Sequence, residues 1–477
     1  MPRCPNILWI QTDEQRPDSL GCYGSTWART PNVDRIARRG AVMQNAVCQS
    51  PVCLPSRSSQ LSGRYPQEFA CLNNMLAAAG ETFPEPVQTF PEIFRDAGYD
   101  TRNYGRYHCL KPGVFETNCP TPDCLPEVGN PFRLADDYDE NSHHVLKRPG
   151  KHHRELIIAG TYPEGAANSC QLSTDRAIAF LRNRAADAPP FLLRVSYNWP
   201  HTPTLAPLPY DRLYDPETLP VRSFSEKAYA GRAAYDRAYA DLHLMRDLTP
   251  AQVGQVWKDY MGLCAYVDSE AGRLLATLED LGLLENTIIL YSADHGKSLG
   301  EWGSGEKGTF DRDVWRVPMI WSFPGSIPEG DVRTEPAEII DTGRTLLALA
   351  GLEDRIPTPY RGRNLFGNGP AADAAFGVIR PPVQDLPDFP ADLMRVAVRT
   401  NRFRLDMNWG IDGSIPAPGQ QDGNLFDLHT DPYEEENLWD SPGQQSAKQA
   451  LIRRLDAWIR RHELDPRLRP ENAGTLF

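Results

Sequence analysis

Continuous apolar runs alternate with amphipathic stretches over most of the chain. Asn6-Ile7-Leu8-Trp9-Ile10-Gln11-Thr12 shows no polar alternation, the mark of a strand buried on both faces, and it ends on Asp13-Glu14. Thr30-Pro31-Asn32 supplies an N-cap and a first-turn proline for a helix that Gly40 closes, and Ala41 to Val47 follows as a strand. Thr89-Phe90-Pro91-Glu92 reads as a capping box before a helix ending near Gly98, and the strand Tyr99 to Tyr104 runs into Gly105-Arg106-Tyr107-His108. Ser173 to Ala186 has helical periodicity, and the strand Phe191 to Asn198 stops at Trp199-Pro200-His201-Thr202-Pro203. A long helix from Gln255 to Leu281 precedes the strand Thr287 to Ser292, which leads into Ala293-Asp294-His295-Gly296. Val317 to Ser322 adds a strand and Ile339 to Leu349 a helix closed by Gly351.

Strands alternating with helices predict an α/β fold, a large mostly parallel sheet sandwiched by helices, with ligand-binding groups at the carboxyl ends of the strands. Four strand ends carry polar chemistry: Asp13-Glu14, Arg106 to His108, His201 and Asp294-His295. From about Pro381 the composition shifts. Leu393 to Asn408 reads as an antiparallel pair turning at Thr400-Asn401, Asn424 to Leu428 as a strand, and Ser446 to Arg461 as an amphipathic helix. The expected division is a catalytic domain over 1–380 and a smaller α+β domain over 381–477. Between Lys111 and Gly160 the chain reads as an irregular excursion over the active-site face. Its adjacent pairs His143-His144 and His152-His153 point in different directions on any regular element, which argues against metal binding by either pair.

The formal net charge of -13 argues against nonspecific nucleic-acid and anionic-membrane binding, so an anionic substrate would need a local basic pocket. The apolar run at Ile7 to Ile10 is too short for an export signal and no later run approaches a membrane span, so a cytoplasmic protein is expected. Ten scattered cysteines without a CxxC pair suit free thiols in a reducing compartment.

One stretch stands out, Ser50-Pro51-Val52-Cys53-Leu54-Pro55-Ser56-Arg57. With Pro55 in the first turn, Ser56 to Leu61 can run as a helix to Gly63, so Cys53 faces a helix N-terminus with Arg57 one turn on. Free amides, the positive dipole end and a guanidinium favour an anion there, which suits a nucleophile that handles anions. A buried structural cysteine ahead of a helix has the same spacing.

Cys53-Leu54-Pro55-Ser56-Arg57, followed by Leu61-Ser62-Gly63-Arg64-Tyr65-Pro66, closely resembles the signature of the type I sulfatases, members of the alkaline phosphatase superfamily. The likeness continues through Asp13, Gly105-x-x-His108, Pro200-His201-Thr202-Pro203, Asp294-His295-Gly296 with Lys307, Arg316-Val317-Pro318, Leu425-Phe426-Asp427-Leu428 to Asp431-Pro432, and Glu436-Asn437-Leu438. The resemblance implies an alkaline phosphatase-like fold and oxidation of Cys53 to formylglycine, whose hydrate is the nucleophile. It also implies a formylglycine-generating enzyme as partner. A geminal diol can expel sulfate by C–O cleavage, whereas an ordinary serine or cysteine ester would await attack of water on hindered sulfur.

By the same resemblance Arg57 stabilises the diol and Asp13, Glu14, Asp294 and His295 hold a divalent metal. The oxygen-rich set suits Ca²⁺ or Mg²⁺, while the imidazole moves preference toward Mn²⁺. His201 and Lys307 match the pair that binds the ester and protonates the leaving alcohol, and His108 matches the base that takes the diol proton. Arg106 stands where a lysine is usual and would clamp sulfate. Asn73 and Asn74 are candidate substrate contacts. The implied activity is hydrolysis of a small-molecule sulfate ester. A phosphonate monoester or phosphodiester hydrolase using the same site is the alternative, and a catalytically silent anion-binding protein is the reading of another class. A homo-oligomer stays open.

Overall fold

The computed structural model describes residues 4–468 apart from 76–82, 84–86, 112, 116, 119–145, 150–154, 223, 244, 382–385, 387 and 463. Both histidine pairs and much of the excursion expected between Lys111 and Gly160 lie outside the described residues.

The large sheet is built from β1 Asn6–Thr12, β2 Ala41–Val47, β3 Asp100–Gly105, β4 Thr117–Asn118, β7 Phe191–Ser196, β9 Thr287–Ala293, β10 Met319–Ser322 and β11 Asp331–Glu338. A three-stranded sheet joins β5 Leu146–Pro149, β6 Glu155–Thr161 and β8 Leu205–Ala206. The large sheet runs β11-β2-β10-β9-β1-β7-β3-β4, with β9, β1, β7, β3 and β4 mutually parallel. β10 alone runs antiparallel to both its neighbours, and β11 pairs parallel with β2.

The unbroken apolar character of β1 follows from its two buried faces. Ile7 and Trp9 join one core cluster with Phe90, Phe94 and Leu346 from two helices. Leu8 and Ile10 join the cluster on the opposite face with Val33 and Ile36 of α1 Pro31–Arg38 and with Leu263 and Leu274 of the helix Pro250–Asp280. That 31-residue helix opens on a capping box, in which Gln252 N donates to Thr249 Oγ1 at 3.3 Å and Thr249 N to Gln252 Oε1 at 2.9 Å.

A four-stranded antiparallel sheet comprises β12 Ala375–Ile379, β13 Leu393–Arg399, β14 Phe403–Gly410 and β15 Gly423–Asp427. Val396, Val398, Leu405 and Met407 pack there against Leu455 and Trp458 of the helix Gln445–Arg461. Its edge strand β12 lies upstream of the boundary expected at residue 380 and ties back to the large sheet, with Val378 N donating to Gln49 O at 2.8 Å. Among the described residues no helix is long and apolar enough to cross a membrane.

Register positions the chemistry. Thr12 pairs with Ala293, Gln11 with Ser196 and Gly105 with Ser196, so β9, β1, β7 and β3 end side by side at one edge. The segments that follow them, expected from sequence to carry the polar chemistry, leave the sheet together.

Asp259, in the long helix, is fully buried beside Gln255 Nε2 at 2.6 Å, with Lys258 Nζ at 3.4 Å. Burial pushes its carboxyl up to about 7. The folded state therefore holds a proton that the unfolded chain, with a carboxyl near 3.9, releases between those values. Stability from this group is complete below about pH 4 and is lost as pH rises through 7. Asp259→Asn is expected to flatten that slope by up to about 4 kcal/mol between pH 4 and 8, at about 1.4 kcal/mol per unit, read as the difference in urea unfolding free energy between the two proteins.

Candidate active site

α2 Cys53–Ser62 enters this edge with all ten of its residues buried and closes at Gly63, whose φ of 65° is left-handed. It begins at Cys53, earlier than the start expected near Ser56. Pro55 falls at the third helical position, where its missing N–H breaks no intrahelical bond. Cys53, Ser56 and Arg57 share one helix face. Ser56 Oγ donates to Asp294 O at 2.5 Å, and Leu54 N donates to Asn74 Oδ1 at 3.0 Å.

Arg57 lies between two strand ends. Its Nε reaches Asp294 Oδ2 at 2.7 Å, Nη2 reaches Asp13 Oδ2 at 2.9 Å, and Nη1 donates to Ser196 Oγ at 2.9 Å. Arg106 approaches from β3, with Nε 2.8 Å from Asp13 Oδ2, Nη1 2.6 Å from Asn198 Oδ1 and Nη2 3.1 Å from His108 Nδ1. Cys53 Sγ is 3.1 Å from His295 Nε2, 3.1 Å from Lys307 Nζ and 3.5 Å from Asp13 Oδ1. His295 Nδ1 lies 2.8 Å from Gly296 O, a bond that turns Nε2 toward the sulfur. Lys307 Nζ also sits 2.5 Å from Glu14 Oε1 and 2.8 Å from His201 Nε2.

Charge explains the titration of the cluster. Burial would raise the Cys53 thiol, yet Lys307, His295 and Arg106 hold it well below the usual range. Burial likewise opposes ionisation of Glu14, but His201, Lys297 and Lys307 hold its carboxyl low. Asp13 is also lowered against burial, chiefly by Arg106, while Asp294 is raised by burial and by Asp13 despite Arg57. His295 is raised to about 9, against burial, by Asp294 and Cys53. Burial, with Arg106 beside it, lowers His108.

Cys53, Arg57, Asp13, Glu14, Arg106, His108, His201, Asp294, His295 and Lys307 thus meet in one connected cluster. Asn73 and Asn74 do not join it. Asn73 is buried with Oδ1 accepting from Met75 N at 2.8 Å, and Asn74 caps α2. Sequence reasoning passed over Lys297, Ser196 and Asn198. Lys297 is buried with Nζ 2.7 Å from Glu14 Oε2. Its only sequence signal is its place two residues after His295, and Ser196 and Asn198 are marked only as the end of an apolar strand.

The cluster fits a cation. Ligand atoms of Asp13, Cys53, Asp294 and His295 lie within 4.8 Å of one another, as do those of Asp13, Glu14 and His201, all of them buried. Carboxylate oxygens with one imidazole form a donor set for a divalent ion, and an imidazole ligand binds in its neutral form.

A buried thiol beside carboxylates that could hold a cation, at the carboxyl edge of an α/β sheet, is an arrangement suited to hydrolysis. The Sulfatase family model matches residues 5–352, and the chain belongs to that family. Human iduronate 2-sulfatase is 28% identical over 92% of this chain and 92% of its own length. The choline-sulfatase of Rhizobium meliloti is 26% identical over 92% of this chain and 83% of its own. Among solved structures, the phosphonate monoester hydrolase of Agrobacterium radiobacter has the same fold, with a TM-score of 0.74, 21% identity and 96% of each chain covered.

Arg57→Met would leave Asp13 and Asp294 buried without their bridge. Breaking such a pair costs about 3–5 kcal/mol, so the urea midpoint of the metal-free protein should fall accordingly. Arg57→Lys, which keeps the charge but not the fork, should fall between the two.

Proposed function

We propose that the protein is a sulfuric ester hydrolase that cleaves a sulfate monoester at Cys53 after its conversion to formylglycine. The observation that carries this reading is the convergence on Cys53 Sγ of His295 Nε2 at 3.1 Å, Lys307 Nζ at 3.1 Å and Asp13 Oδ1 at 3.5 Å. Sγ stands where an oxygen of the aldehyde hydrate would be. The modified residue supplies a geminal diol, one hydroxyl to attack sulfur and the other to allow release by C–O cleavage.

Asp13, Glu14, Asp294 and His295 would hold one divalent ion, Ca²⁺ first and Mn²⁺ or Mg²⁺ as alternatives, supplying positive charge to the attacking oxygen and the sulfate oxygens. The chain's own groups do the rest. Arg57 and Arg106 fix the Asp13 carboxylate, and Arg106 presents the rest of its guanidinium to the anion. Lys307 and His201, 2.8 Å apart, bind the ester oxygen and deliver the proton to the departing alcohol. His108, whose basicity burial lowers, accepts the diol proton as sulfate leaves.

The family and its relatives support sulfate over phosphonate as the substrate anion, since the curated relatives are named sulfatases at 26–28% identity whereas the phosphonate hydrolase shares the fold alone. Relatives named for iduronate and choline sulfates cover a sugar acid and an alkyl ester, so an aryl sulfate is the neutral first probe. Cys48, Cys71, Cys170 and Cys264 are buried free thiols, which supports a cytoplasmic site of action and a maturing enzyme in the same compartment.

Mass analysis of the peptide containing Cys53, from active protein made in its native host, should show the aldehyde or its hydrate in place of the thiol. Thiol alone in active protein would refute the mechanism. The same preparation should hydrolyse 4-nitrophenyl sulfate in preference to an aryl phosphonate, lose turnover on exhaustive chelation and regain it with one of the three ions. A preference for the phosphonate would move the assignment to phosphonate monoester hydrolysis.

A further inference from the structure

Lys297 is 2% exposed, and its ammonium joins three segments that carry the site. Nζ is 2.7 Å from Glu14 Oε2 after β1, donates to Thr202 Oγ1 beside His201, and lies 3.9 Å from Glu306 Oε1 beside Lys307. Thr202 completes the link, with N donating to Glu14 Oε2 at 3.4 Å and Oγ1 to Glu306 Oε1 at 3.3 Å. The backbone of Lys297 is itself held, its N donating to Asp313 O at 3.0 Å and its O accepting from Arg16 Nη1 at 3.4 Å. A buried ammonium is costly unless its partners are fixed, so this placement has to be over-determined by its surroundings.

The two oxygens of Glu14 divide the surroundings. Oε2 takes Lys297 and Thr202 N, while Oε1 takes Lys307 Nζ at 2.5 Å, with His201 Nε2 3.2 Å from it and 2.8 Å from Lys307 Nζ. With Oε2 pinned, the carboxylate plane is set and Oε1 is aimed at the pair that faces the departing alcohol. We propose that Lys297 is a positioning residue for leaving-group protonation, acting through Glu14 to hold Lys307 Nζ and His201 Nε2 together. The side-chain partners of Lys297 are Glu14, Thr202 and Glu306, and Cys53 is not among them. The inference rests on the sulfatase reading given above.

A poor leaving group needs its proton in the transition state, whereas a good one departs as the anion with little help. The test is therefore a series of aryl sulfates of rising phenol pKa, ending in an alkyl sulfate, with kcat/KM measured for wild type, Lys297→Met and Lys297→Arg. Lys297→Met should lose about 10-fold or less on the best leaving group and about 100-fold or more on the poorest, steepening the dependence on leaving-group pKa. Lys297→Arg should recover part of the loss on the poor leaving groups. Metal affinity, measured by calorimetric titration of the apoprotein, should stay within a few-fold of wild type. A uniform loss across the series, or a loss of metal affinity large enough to account for it, would overturn the proposal. If Lys297→Met does not fold, Thr202→Val decides, since loss of the bridging hydroxyl should steepen the same plot and an unchanged slope overturns the proposal. Wild-type protein that turns over no sulfate ester would sink the sulfatase reading itself, a result distinct from an unchanged slope in the variants.

Discussion

Two fully buried carboxylates, Asp13 and Asp294, follow adjacent parallel strands, and the guanidinium of Arg57 spans both. Without that bridge two buried negative charges would face each other in a medium that screens poorly, and one would have to take up a proton. Much of the architecture serves this contact. The β1–β9 register brings the carboxylates level, and α2 must enter with one face toward the strand ends so that Cys53, Ser56 and Arg57 arrive together. Ser196, at the end of the next strand, takes the remaining guanidinium nitrogen.

The central strands were legible in the sequence because burial on both faces leaves an unbroken apolar run, and β1, β2, β7 and β9 fall within two residues of their expected limits. β11 escaped because it reads DVRTEPAE: a mostly polar edge strand without apolar alternation, with a proline at its irregular step in register. β12 was passed over as well, a five-residue edge strand just ahead of the composition shift near Pro381. The direction of β10 is a tertiary fact. Periodicity marks its burial but not whether its neighbours run with it or against it.

The site was legible to a different degree. Groups at strand ends could be named because parallel sheets gather ligands there. What spacing could not supply was their pairing. Glu14 has a φ of 62°, a left-handed conformation uncommon outside glycine, held by Tyr260 Oη donating to Glu14 O at 2.7 Å and by Glu14 N donating to Asp294 Oδ1 at 3.2 Å. That turn carries its carboxylate to Lys297, Lys307 and His201 while keeping a ligand atom within 4.8 Å of one on Asp13. No local pattern foretells it, since the residues that impose it come from the long helix and from the residue that follows β9.

The burial of α2 bears on when the chain can be matured. Cys53 is 0% exposed, and the helix turn that carries it is closed in by β1, β9 and the Lys307 loop. A fully buried side chain is out of an enzyme's reach, so the conversion proposed for Cys53 would have to precede closure of the sheet edge. On that proposal the fraction of active molecules would be set by a race between two rates, oxidation of the open segment and folding over it. A chain that folds first would keep its thiol in an otherwise complete site.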